Sequence, residues 1–191
     1  MKSWSLWVGL LLAVFALPAL AAEAPKGAAP AAMAVPAPGP EVGQLSFFAG
    51  DWSCTGKAEA SPFGPEHATQ AKVHIRKELG GFWYIGHLEE TKGPANPQPM
   101  SFAFCMGYDP GAKAWTLDGF DAWGGRSHQK AAGWQDGKLV FDGETAMGGQ
   151  STPARDTFTK KDESTLDHVG EVQADGKWVT TDHETCKRAG K

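Results

Sequence analysis

The chain has 191 residues, 18 basic and 22 acidic side chains and a formal charge of −4. Charges of both signs interleave and no basic block occurs, which excludes a nucleic-acid footprint and leaves an anionic membrane surface little to attract. Three cysteines mean that one stays unpaired in an oxidising compartment.

The N-terminus, MKSWSLWVGLLLAVFALPALAAEAP, carries one lysine, an apolar run from about Leu6 to Leu20 and the small-x-small triplet Ala19-Leu20-Ala21. This is the pattern of a signal peptide over 1–21, cut before Ala22. An uncleaved anchor is the alternative, and the run is short for a span. No cysteine directly follows the run, where Ala21 and Ala22 stand, which argues against a lipoprotein. Cleavage removes Lys2 and leaves a formal charge near −5, and the expected destination is the periplasm or the exterior. Residues 22–40, AEAPKGAAPAAMAVPAPGP, have almost nothing to bury and read as a disordered linker. Residues 41–188 remain, enough for one domain with a core.

That domain opens on a short helical piece, Glu41 to Ala49, where Val42, Leu45 and Phe48 recur every third residue. Two turns suit a lid or plug better than a core helix. Ten segments with partial period-two alternation follow: 51–60, 68–79, 82–92, 100–109, 113–121, 126–134, 137–145, 153–161, 164–173 and 177–187. Turn chemistry separates them, as in Leu79-Gly80-Gly81, Asp109-Pro110-Gly111, Gln135-Asp136-Gly137, Lys161-Asp162-Glu163 and Ala174-Asp175-Gly176. The expected fold is all-β, a single antiparallel meander β-barrel of about ten strands. In the last segment, strict alternation places Trp178, Thr180, Asp182, Glu184 and Cys186 on one face and Val179, Thr181, His183 and Thr185 on the other. Neither face is cleanly apolar, which fits a barrel with a partly polar interior better than a packed sandwich.

A short helix running into Gly50-Asp51-Trp52 at the head of a meander resembles the start of the calycin barrels, the lipocalin and fatty-acid-binding superfamily. More narrowly, LSFFAGDWSCTGKAEA resembles the DUF1579 family, and FWYIGHLEET and KWVTTDHETCKR fit its layout. The resemblance implies structural roles for Gly50, turning the chain from helix to strand, and for Trp52, sealing the barrel floor against Leu45 and Phe48 while its indole N–H finds a partner. In such a meander the first and last strands pair, which brings Cys54 and Cys186 together as a disulfide across the seam and leaves Cys105, in the apolar SFAFCMGY, as a buried free thiol.

Six histidines, His67, His74, His87, His128, His168 and His183, show no metal-ligating spacing, and no nucleophile or phosphate-binding motif occurs. No metal and no catalytic residue is assigned, and no cofactor is expected. Haem is the weaker alternative, because the nitrobindin-type barrels that resemble this architecture hold haem with a histidine on a C-terminal strand. Parity places His183 opposite Cys186, hence outside the barrel. Trp83, His87 and His168 are candidates for a pocket wall, as are Trp115, Trp123, Arg126 and His128 in WTLDGFDAWGGRSHQKAAGW, an aromatic stretch with one arginine as polar handle. Arg155 and Arg188 read as strand-face ion pairs. Three functions stay open: carriage of a small hydrophobic or amphipathic molecule, a structural or protein-interaction domain with a filled barrel, and a haem-binding or enzymatic calycin relative.

Overall fold

The computed structural model describes residues 34–61 and 65–190. The expected signal peptide and most of the expected linker, up to residue 33, lie outside the described residues. Every secondary-structure element belongs to the unit Pro36–Lys191.

A 3₁₀ helix, Pro40–Phe48, precedes ten strands: β1 (Gly50–Ala58), β2 (His67–Glu78), β3 (Trp83–Glu90), β4 (Ser101–Asp109), β5 (Ala114–Asp121), β6 (Arg126–Ala131), β7 (Lys138–Met147), β8 (Gln150–Lys160), β9 (Thr165–Ala174) and β10 (Lys177–Arg188). Each strand pairs antiparallel with its neighbours in sequence, and β1 pairs with β10 to close the barrel. The strands follow the alternation and turn signals closely. In the last hairpin, Asp175 and Gly176 both take positive φ, the two-residue turn that an Asp-Gly pair favours. The β7–β8 turn at Gly148-Gly149 was not anticipated, and it extends both strands beyond the expected 137–145 and 153–161.

The plug is 3₁₀ rather than α, and its sequence explains why. Val42, Leu45 and Phe48 sit three apart, and a helix of 3.0 residues per turn stacks such positions in one line. All three are essentially inaccessible, at 3%, 0% and 1%. They close one end of the barrel over Trp52, Tyr84, Met106, Trp115, Leu139 and Phe141. Full burial of each large side chain contributes about 1.5–3 kcal/mol. The polar backbone of the plug is also satisfied from the barrel. The indole N–H groups of Trp115, Trp134 and Trp52 donate to the carbonyls of Glu41, Gln44 and Phe48 at 3.1, 3.1 and 2.9 Å.

Gly50 sits at φ +133°, and a Cβ there would fall 2.7 Å from the Arg188 guanidinium. Arg188 forms no strand-face ion pair. Its fork donates to the carbonyls of Ala49 and Phe47, its Nε donates to Glu163 O, and its plane lies 4.3 Å from the Trp52 ring. Five fixed donors and a flat cation suit that junction of carbonyls and indole. Arg155 does form the expected strand-face pair, reaching Glu171 at 2.7 Å, with Trp178 stacked on its guanidinium.

Cys54 and Cys186 face each other in the β1–β10 ladder and form a disulfide, their Cα atoms 3.9 Å apart. Cys105 is free and half-buried, on the outer side of β4. The expectation that Trp178 shares the face of Cys186 is corrected. Thr180 pairs with Glu171 and Asp182 with Gly170, so Thr181 is an extra residue in β10. Such a bulge reverses parity. Asp182, Glu184 and Cys186 point inward, while Trp178 and Thr180 lie outside.

Candidate functional site

The barrel interior has two storeys. Beside the plug, rings and aliphatic chains fill the space. Towards the open end, β8, β9 and β10 turn acid and imidazole side chains into the barrel. Register gives the direction: Glu184 sits opposite His168, and Phe158 opposite His168 on the other side. Asp156 lies two residues from Phe158 and faces the same way.

His168 is the centre. Its Nε2–H donates to Asp156 Oδ1 at 2.7 Å, and its Nδ1–H is shared between Glu184 Oε2 at 3.0 Å and Asp182 Oδ2 at 3.2 Å. Phe158 supports the ring from below, centroids 4.9 Å apart. Around this centre, Gln129 Nε2 donates to Asp156 Oδ2 at 2.6 Å, Thr69 donates to Glu184, and Thr181 donates to Asp182. Gly170 leaves room for Asp182, since a Cβ there would fall 2.5 Å from its carboxylate.

Burial opposes charge on the imidazole, but hydrogen bonds to Asp156, Asp182 and Glu184 outweigh it and hold the His168 pKa well above its ordinary value. For Asp182, burial pushes up while the bond to His168 pulls further down, to about 2. Glu184 goes the other way: burial and the adjacent Asp182 charge raise it despite His168. Three carboxyl groups thus share one imidazolium. No lysine or arginine among the described residues pairs with any of them. The side chains of Glu184, His168, Asp156 and Asp182 keep 14, 20, 26 and 30% of their surface accessible, so solvent reaches them inside the barrel.

The facing wall is aromatic. Phe102 and Phe104 stack with centroids 5.9 Å apart, and their rings occupy the space where side chains at Gly119 and Gly86 would be. At the rim, Glu90 accepts from Asn96 Nδ2 and from the Met100 amide, at 2.8 and 2.7 Å, and so ties the β3–β4 connection to the open end.

Residues 37–188 match the family described as "Protein of unknown function (DUF1579)". The chain belongs to this family. The matched span contains the plug, all ten strands and every residue of the acidic chamber. Among solved structures, the crystal structure of Rv2717c from M. tuberculosis is similar with a TM-score of 0.60 and 12% identity, over 80% of this chain and 99% of that one. At that identity the likeness shows the fold alone. A redesigned β-barrel matches at a TM-score of 0.40 and 13% identity, over 77% of this chain and 96% of its own, and carries no argument. No curated protein matches the sequence.

The residues singled out from the sequence of this DUF1579 protein do not converge. His168 is the centre of the chamber. Trp115 is in the barrel floor, bonded to the plug. Trp83 lies outside, its ring across Gly107, and His87 is exposed on the outer face opposite His74. Trp123 sits in the β5–β6 turn, 42% exposed. Arg126 and His128 are exposed on the outer face of β6, with His128 bonded to Asp118. His183 is exposed outside the barrel, as parity requires. Asp156, Asp182, Glu184 and Gln129 were not singled out. One signal for two of them was present: Asp182 and Glu184 share the parity of Cys186, and a cysteine that staples the seam from inside puts those acids inside with it.

Among the described residues, no helix is long and apolar enough to cross a membrane.

Proposed function

We propose that this barrel is an exported binding protein whose interior chamber takes a small, positively charged ligand. One observation carries the reading: three inward carboxyl groups answer to a single imidazolium in a space that solvent reaches. Charges held in a low-dielectric interior favour a compensating partner far more than the same charges on a surface. The large rings that suggested a hydrophobic cargo are already engaged, with the plug in the floor and with glycines in the wall. What stays accessible beside them is polar and acidic. The Phe102–Phe104 wall would still favour a cation, or an apolar body attached to one. The Cys54–Cys186 bond and the N-terminal pattern support a place outside the cytoplasm.

The test is thermal denaturation of the purified protein with millimolar diamines, guanidinium compounds and divalent metal ions, beside anionic and neutral lipids. A ligand at about 100 times its dissociation constant adds about 2.7 kcal/mol to stability. At about 2–4 °C per kcal/mol, that is a rise in Tm of roughly 5–10 °C. The rise is expected for at least one class of cation and is lost in Asp182→Asn/Glu184→Gln. Stabilisation by lipids alone, or by none of these compounds, overturns the reading.

A further inference from the structure

We propose that the chamber is a binding site for a first-row divalent metal ion, held by His168 Nδ1 and one carboxylate oxygen each of Asp182 and Glu184. This rests on the cation-binding reading and names the cation.

The geometry is that of a ligand set. The imidazole nitrogen lies 3.0 Å from the Glu184 oxygen and 3.2 Å from the Asp182 oxygen, and the three ligand atoms lie within 4.8 Å of one another. Ligands at about 2.0–2.2 Å from a shared ion, at tetrahedral or octahedral angles, are spaced by about 3–3.5 Å. One imidazole with two carboxylates suits zinc, manganese or ferrous iron, and the imidazole argues against magnesium or calcium. Three protein ligands leave positions for water or a second molecule on the open side.

The surroundings are those a bound ion needs. Metal-bound histidines commonly donate their other ring N–H to a carboxylate, which fixes the tautomer and orients the ring. Asp156 occupies that place on Nε2, at 2.7 Å. The ion would take the position of the Nδ1 proton, which leaves to solvent.

A separate observation concerns a buried acceptor beside this set. Gln129 is 1% exposed and points into the barrel from β6. Its amide nitrogen donates to Asp156, but its Oε1 has no partner. A buried acceptor left without a donor is costly, and native proteins seldom leave one so. It belongs to the amide that touches the second carboxylate oxygen of Asp156, the group that orients His168, and a donor held inside the barrel would satisfy it.

The test is titration of the chelator-treated full protein with Co²⁺, read by its visible d–d absorption, and with Zn²⁺ by competition. Saturation at one equivalent is expected. His168→Gln and Glu184→Gln should remove the bands, while near-UV circular dichroism of the tryptophans reports that each variant is folded. Asp156→Asn is a positioning variant and should weaken binding about 10–100-fold without changing the stoichiometry. Should a variant fail to fold, the wild-type stoichiometry and band pattern decide alone. Absence of stoichiometric metal binding in the wild type, or Co²⁺ bands unchanged in folded His168→Gln, overturns the inference. Diamine or guanidinium binding to a chamber that refuses metals overturns it while sustaining the broader cation reading. Refusal of every cation overturns both.

Discussion

Reducing the Cys54–Cys186 bond should cost this barrel a large share of its stability without changing its fold. The bond joins residues 132 apart in sequence. The loop-closure relation for a cross-link of that span gives about 5 kcal/mol, all of it from restricting the unfolded chain. Removal of native disulfides typically costs about 2–5 kcal/mol, and a domain of this size holds about 5–15 kcal/mol in total. The folded state should survive, because the seam has a second bond set: Trp52 to Ala58 pair with Arg188 to Asp182 along the β1–β10 ladder. Urea unfolding of the oxidised protein and of the same protein with reductant isolates the cross-link, since both sulfur atoms stay in the core. The double variant C54A/C186A adds the lost packing of two buried side chains. The reduced form should lose about 2–5 kcal/mol, or roughly 5–20 °C in Tm. Its m-value should rise, because an unfolded chain without the cross-link exposes more surface. A loss under about 1 kcal/mol with an unchanged m-value would refute the loop-entropy argument. A non-reducing mass map placing Cys105 in the bond would refute the pairing itself.

Two further predictions concern the wall and the free thiol. At Gly86 a Cβ would fall 2.1 Å from the tip of the Phe104 ring. Gly86→Ala should therefore destabilise by about 1–3 kcal/mol in urea unfolding, and Phe104→Leu in the same chain should recover most of it. Additive losses in the double variant would show that the ring does not occupy that space. Burial, with the Asp118 carboxylate adding to it, raises the Cys105 thiol above its ordinary value. The folded state thus keeps its proton longer than the unfolded chain does. Cys105 then contributes less to stability as pH rises from the unfolded thiol value to the raised one. Iodoacetamide should accordingly label the native protein with a pH midpoint above that of the urea-unfolded protein. Coincident midpoints would count against this.

The strands, their order and the plug were legible because each rests on local chemistry. Alternation marks a strand, Asp-Gly marks its turn, and a three-residue stripe at Val42, Leu45 and Phe48 marks a piece of helix that one flat surface must cover. A meander leaves only the first and last strands to be joined, so the seam and its disulfide follow once the barrel is granted. The chamber does not follow in the same way. Asp156, His168, Asp182 and Glu184 meet only because β8, β9 and β10 lie side by side in one register, and sequence spacing carries no trace of that distance. Inside and outside also differ along a strand by a single residue. The bulge at Thr181 turns Trp178 out and keeps Asp182 in, and no local preference in LysTrpValThrThrAspHis marks where the extra residue falls. Local propensity therefore determined which segments became strands and how they succeed one another. Closure of the sheet, and the bulge that closure tolerates, decided which side chains share the interior.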